Sequence, residues 1–197
     1  MTAIVAEMCA AVSEGGFVIL PETADHGGAR ERLLDRAMGA GRRRKSSEKL
    51  RSGRLPSEGL AFAAADPSGQ LCGTVRLWDV MAGTDHDGRA VSALLLGPLA
   101  VDPRWEGLGL GTALMRRAIG EAAARGHGAI LLVGDACYYG RFGFHSEPAC
   151  MLAMPGPVER ERFLALELAV GYLDGASGVL TGCGRRSAER ASMGKAA

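Results

Sequence analysis

One stretch constrains this chain more than any other. An apolar run, Ala90 to Val101, leads into Val101-Asp-Pro-Arg-Trp-Glu-Gly-Leu-Gly-Leu-Gly-Thr112. A helix is predicted from Gly109 to Arg125, with Ala113, Leu114, Ala118, Ile119 and Ala122 on one face and Arg116, Arg117, Glu121 and Arg125 on the other. Gly126-His-Gly128 stops it, and Ala129 to Val133 reads as a short buried strand. Strand, glycines, helix and strand make a βαβ unit, so part of the sheet is expected to be parallel.

Glycine is abundant in the whole chain, 29 of 197 residues, about twice the usual share. The glycines keep no three-residue period and Pro counts only 8, which excludes a collagen-like chain. In the loop, Gly107, Gly109 and Gly111 let the backbone turn with its N–H groups converging, and the helix start adds positive potential. Both suit a diphosphate, with Arg104 and Arg116 able to add charge from either side. No Gly-Lys-Ser/Thr ends the loop, so it is not a P-loop. The G-x-G-x-G spacing, with no acidic residue ending the next strand, fits a dinucleotide fingerprint poorly. Taken alone, a tight turn without a ligand accounts for the loop equally well.

The remaining chain reads as one domain with appended ends. Phe17 to Leu20 is a first strand, Asp25 to Met38 a helix, and Arg42 to about Arg51 a second, shorter helix. Leu60 to Ala65 and Leu71 to Trp78 flank Asp66-Pro-Ser-Gly69 and should form a hairpin, and Thr84 to Gly88 is another turn. The segment 158–173 fits a strand or a helix, and the last dozen residues read as a tail. A net charge of +1 gives no electrostatic case for nucleic acid or an anionic membrane. Met1 to Val12 lacks the basic start of a secretory signal, and no apolar run is long enough to span a bilayer. Five scattered cysteines with no C-x-x-C pair read as reduced thiols, and the four histidines show no metal-ligand spacing. A cytoplasmic, metal-free protein is expected.

After the next strand comes Val133-Gly-Asp-Ala-Cys-Tyr-Tyr-Gly-Arg-Phe-Gly-Phe-His145, with two of the three tyrosines. Tyr138 and Tyr139 fall on a predicted short helix, and Gly143 ends it before a strand at Phe144. Asp135 is placed to cap that helix. A tyrosine hydroxyl here could protonate a leaving thiolate, while packing between helix and sheet is the simpler account of this segment taken alone. Cys137 reads as a small buried thiol, since no His/Asp partner spacing supports a covalent role.

Together the two segments resemble the GNAT superfamily of acetyl-CoA-dependent N-acetyltransferases. The family pattern of Gln or Arg, two residues, Gly, one residue, then Gly or Ala falls on Glu106-Gly-Leu-Gly109-Leu-Gly111, and Tyr-x-x-x-Gly-Phe falls on Tyr139 to Phe144. The passage 90–147 is similar to a bacterial branch of predicted acetyltransferases with Gly-Asp-x-x-Tyr-Tyr-x-x-Phe-Gly-Phe. The resemblance implies an α/β fold with a mixed, centrally splayed sheet of about six to seven strands and about four helices. It implies an N-terminal extension over 1–15, the acetyltransferase domain over 16–157, a completing strand or helix over 158–184, and a tail over 185–197.

The implied activity is transfer of acetyl from acetyl-CoA to a primary amine of a small molecule or peptide, by direct attack with both reactants bound. The implied cofactor-binding residues are Leu99, Ala100 and Val101 along the pantetheine arm, and Glu106, Gly107, Leu108, Gly109, Leu110, Gly111 and Thr112 around the pyrophosphate. A backbone N–H near Leu99 or Ala100 would stabilise the oxyanion, and Tyr139 would protonate the departing thiolate. Glu106 departs from the family pattern, and a carboxylate faces a pyrophosphate poorly. Asp135 and His145 are the sequence candidates for the base. The basic stretch Arg42-Arg-Arg-Lys45, with Lys49, Arg51 and Arg54, falls where the family builds its acceptor site. It fits an acidic substrate or a CoA phosphate, although a solvated helix face is the simpler account. A homodimer is compatible with the family. A non-catalytic acyl-CoA-binding or regulatory protein on the same scaffold is the alternative reading.

Overall fold

Two aspartates set the hairpins around which the sheet is built. In the computed structural model, which describes residues 16–187, Asp66 Oδ1 accepts from the N–H groups of Ser68 and Gln70, both at 2.9 Å. Asp85 does the same for Asp87 and Arg89 at 2.9 and 2.8 Å. These Asx turns join β2 (Ala61–Ala65) to β3 (Leu71–Thr84), and β3 to β4 (Ala90–Val101). β1 (Val18–Pro21) pairs with β2, so the first four strands are antiparallel.

From β4 the chain crosses through α3 (Leu110–Ala124) to β5 (Ala129–Val133), which pairs parallel to β4. Two earlier helices, α1 (Gly27–Met38) and α2 (Glu48–Arg51), precede the hairpins, and the short α4 (Ala136–Gly140) follows β5. After β6 (Leu152–Ala153) the ambiguous segment 158–173 resolves as a strand, β7 (Phe163–Glu167), antiparallel to β5. β8 (Gly178–Val179) pairs with β6, and β9 (Thr181–Gly182) pairs with β3. The order β1-β2-β3-β4-β5-β7, with β9 on β3, is a seven-stranded mixed sheet beside a two-stranded one.

The sheet is covered on both faces. Leu110, Leu114, Met115, Ala118 and Ala122 of α3 pack on Phe62, Val75, Leu77, Leu94 and Ile130. Complete burial of Leu114 or Met115 is worth about 1.5–3 kcal/mol against exposure. On the opposite face Leu33 and Leu34 of α1 pack on Ala63, Leu71 and Ala100. Leu173, Ala176 and Leu180 of the C-terminal segment join Leu50, Trp78 and Leu95 there.

Two expectations change. The predicted 42–51 helix is broken: a 3-10 turn over Ala40–Arg44 is separated from α2 by extended backbone at Lys45. Phe144 is not in a strand; the chain touches β7 only through a bridge from His145 to Ala165. The C-terminal segment packs tightly against the rest of the chain. Gly83 and Gly182 meet neighbouring backbone so closely that a β-carbon would lie 1.8 Å from Ser177 O and 2.5 Å from Leu50 O, respectively. The expected N-terminal extension over 1–15, Cys9 within it, and residues 188–197 of the expected tail lie outside the described residues. Arg186, at the start of that tail, bridges to Arg54.

Candidate active site

β4 and β5 are in register only at Leu94–Ile130 and Leu95–Leu131. Just past that point β4 bulges: Leu77 of β3 faces Leu96 and Val75 faces Leu99, which leaves Arg76 opposite both Gly97 and Pro98. Trp78 Nε1 donates to Gly97 O at 2.5 Å and anchors the bulge. The extra residue shifts the side-chain phase, so that Leu96 and Leu99 both join the core on the α3 face. Two cavities lie where the strands part.

The first is an open groove of about 340 Å³ at the start of α3, lined by Val101, Trp105, Glu106, Gly107, Gly109, Leu110, Gly111, Thr112, Tyr138 and Arg141. Gly107 and Gly109 have φ of +75° and +81°, which glycine adopts without strain. Ala113 N donates to Gly109 O at 3.0 Å, so the N–H groups of Leu110, Gly111 and Thr112 precede the first intrahelical donor and are available to an anion. Of the residues expected around a pyrophosphate, Leu108 is exposed and does not line this groove. Leu99 lines the second cavity, and Ala100 is buried under α1.

The basic residue on the groove is Arg141, whose guanidinium lies 4.1 Å from the Tyr138 ring centroid. Neither Arg104 nor Arg116 lines it. Arg104 turns back to Asp102, donating through Nε at 3.0 Å, and Arg116 sits on the solvent side of α3. Asp102 is buried and also accepts from Arg36 Nη2 at 2.8 Å; the Arg104 and Arg36 bonds hold its carboxyl far below the usual range. This carboxylate fixes the end of β4 where the loop begins. Sequence reading missed Arg141 because nothing in the spacing says that α4 folds over the start of α3.

The second cavity, about 90 Å³, is lined by Met38, Arg42, Lys45, Ser47, Glu48, Arg51, residues 96–99, Leu132, Val133 and Tyr139. Tyr138 and Tyr139 stand edge to face with centroids 4.9 Å apart, so the pair separates the groove from the cavity. Burial pushes the Tyr139 hydroxyl up to about 12, with Tyr138 adding to the shift. Asp135 caps α4 by accepting from Cys137 N at 2.7 Å and Tyr138 N at 3.3 Å.

Two sequence candidates for the base are therefore displaced. Asp135 is spent as a cap, and His145 lies in a separate surface cleft with Glu147. The carboxylate on the wall of the cavity is Glu48, which lies in the sequence between Lys45 and Lys49 of the basic stretch. Cys137 is exposed, not buried: its turn of α4 faces solvent because the tyrosines take the inner positions. The basic stretch is also more than a solvated face. Arg42 is tied to Glu31 at 2.5 Å and Asp35 at 2.8 Å, and the Arg51 side chain is 10% exposed.

An anion-ready helix start beside a split between parallel strands, with a partly buried tyrosine at the divide, defines a class of acyl-transfer scaffold. Residues 57–146 match the family model described as an acetyltransferase (GNAT) domain. The chain is 30% identical over 121 residues to the N-acetyltransferase YhbS of Escherichia coli strain K12, covering 61% of this chain and 70% of that protein. It is similar to the crystal structure of E. coli YhbS in complex with CoA, at a TM-score of 0.70 and 27% identity over 85% of this chain and 89% of that one. A GNAT acetyltransferase from Brucella melitensis in complex with acetyl-CoA shares the fold, at a TM-score of 0.63 and 22% identity over 85% and 96% of the two chains. The chain belongs to the GNAT family and is an N-acetyltransferase. Among the described residues no helix is long and apolar enough to cross a membrane.

Proposed function

We propose that this enzyme moves an acetyl group from acetyl-CoA to a primary amine of a small molecule or peptide, with both substrates bound at once. The observation that carries the reading is the tyrosine pair standing between a glycine-lined groove and a cavity that opens at the strand split. Acetyl-CoA supplies an activated thioester. The N–H groups at the start of α3 and the Arg141 guanidinium fit its pyrophosphate, and Val101 fits the arm that follows. Glu106 is the one group on the groove with the wrong charge.

The amine enters the cavity beside Glu48, which takes the proton an ammonium must lose before attack, directly or through water. As the C–S bond breaks Tyr139 donates its proton to the sulfur, and the second proton shed by the attacking nitrogen restores the hydroxyl. The raised pKa of Tyr139 keeps the hydroxyl protonated at every working pH. Closeness of the two substrates across the split supplies much of the acceleration.

The test is calorimetry with acetyl-CoA followed by thiol release over a panel of primary amines. Binding and turnover support the proposal. Binding without turnover on any amine favours a non-catalytic acyl-CoA sensor, the reading that Glu106 on the groove suggests. No binding removes both.

A further inference from the structure

The cavity beside Tyr139 contains a charged group whose hydrogen-bonding capacity the protein does not use. Arg51 projects from the end of α2 into the wall of this cavity with 10% of its side chain exposed. Its Nη2 donates to Glu48 Oε2 at 3.1 Å and reaches Ser47 Oγ at 3.4 Å. Its Nε is buried with no hydrogen-bond partner among the described residues. Its Nη1 lies at the Gly97 bulge, 3.7 Å from where a β-carbon on that glycine would sit.

A desolvated guanidinium with free donors is costly unless something completes its hydrogen bonds. The other cations on the wall do not relieve this. Arg42 is committed to Glu31 and Asp35, and Lys45 has no ion-pair partner among the described residues. Glu48 is the single carboxylate among the residues lining the cavity, against Arg42, Lys45 and Arg51. Nη1 is the guanidinium nitrogen left for an anion, because Nε–H shares its edge with Nη2, which Glu48 already holds.

We propose that the amine acceptor carries a carboxylate, and that Arg51 binds it through Nη1 with Lys45 as a second cation. Glu48 holds the guanidinium by Nη2, which leaves Nη1 at the Gly97 bulge beside the split. A cavity of about 90 Å³ admits a short chain between the two charged groups, so the acceptor class is a small amino acid. This rests on the acetyl-transfer reading above.

The test compares glycine, β-alanine and 4-aminobutanoate with their carboxamides, using thiol release from acetyl-CoA by wild type, R51K and R51Q. Wild type should prefer at least one acid over its amide by tenfold or more in kcat/KM. R51Q should abolish that preference, the acid-to-amide ratio of kcat/KM falling toward one, and R51K should retain part of it. Calorimetry of the N-acetyl acids against their amides gives the same comparison without turnover. Equal use and equal binding of acid and amide by wild type overturns the inference, whether or not R51Q folds. So does an R51Q enzyme that keeps the preference. Failure to bind acetyl-CoA would instead sink the acetyl-transfer reading, and the binding comparison would still decide the role of Arg51.

Discussion

The Tyr139 ring lies directly over Gly134: a β-carbon on that glycine would stand 2.1 Å from Tyr139 Cε2. A methyl group there must push the ring out of its place at the divide between groove and cavity. We expect G134A to lower kcat nearly as far as Y139F, each by about 10²-fold, the lower range for loss of a general acid. Calorimetry should show acetyl-CoA affinity within a few-fold of wild type in both. Full turnover by Y139F would remove the tyrosine from the chemistry.

The same burial sets a pH signature. The folded-state pKa of Tyr139 is raised to about 12, above an ordinary tyrosine near 10. Its contribution to stability is fully present below about pH 10 and is lost as pH rises toward 12. The kcat profile should therefore show no alkaline limb from Tyr139 up to pH 10, as a stopped assay across pH 7–10 would reveal.

Asp102 works in the other direction. Its folded-state pKa is depressed by Arg104 and Arg36, so its contribution is present above about pH 4 and lost as pH falls further. D102N should cost about 1–2 kcal/mol at neutral pH, seen as a Tm lower by about 2–8 °C. Thermal melts from pH 2.5 to 7 should also show a shallower acid limb in the variant.

Glu106 lines the groove that fits a pyrophosphate. Neutralising it should tighten acetyl-CoA binding, by about threefold for E106Q and more for E106R, with the gain shrinking as salt screens it. Titrations at 50 and 300 mM salt check this. Weaker binding in both variants would mean that the carboxylate holds the loop in shape.

Gly182 of β9 packs against the Leu50 carbonyl, one residue before Arg51, and Arg54 Nη1 donates to Gly184 O at 2.7 Å. The C-terminal segment thus clamps the helix that brings Glu48 and Arg51 to the cavity. G182A should destabilise the protein by about 1–3 kcal/mol through overpacking. It should raise KM for the acceptor more than KM for acetyl-CoA, which steady-state kinetics would separate.

What the sequence determined by itself is whatever neighbours in the chain can enforce. The Asx turns at Asp66 and Asp85, the apolar face of α3, the glycine turn before it and the Asp135 cap all depend on residues a few positions apart, and all were legible. The two motifs were also enough to suggest the family. The tertiary structure decided the rest, because it turns on desolvation and close approach between distant segments. A guanidinium in a basic run looks solvated until α2 is clamped under the C-terminal glycines, and only then does Arg51 lose its water. In the same way, Arg141 rather than Arg104 reaches the groove because Asp102 holds Arg104 and α4 folds over the helix start.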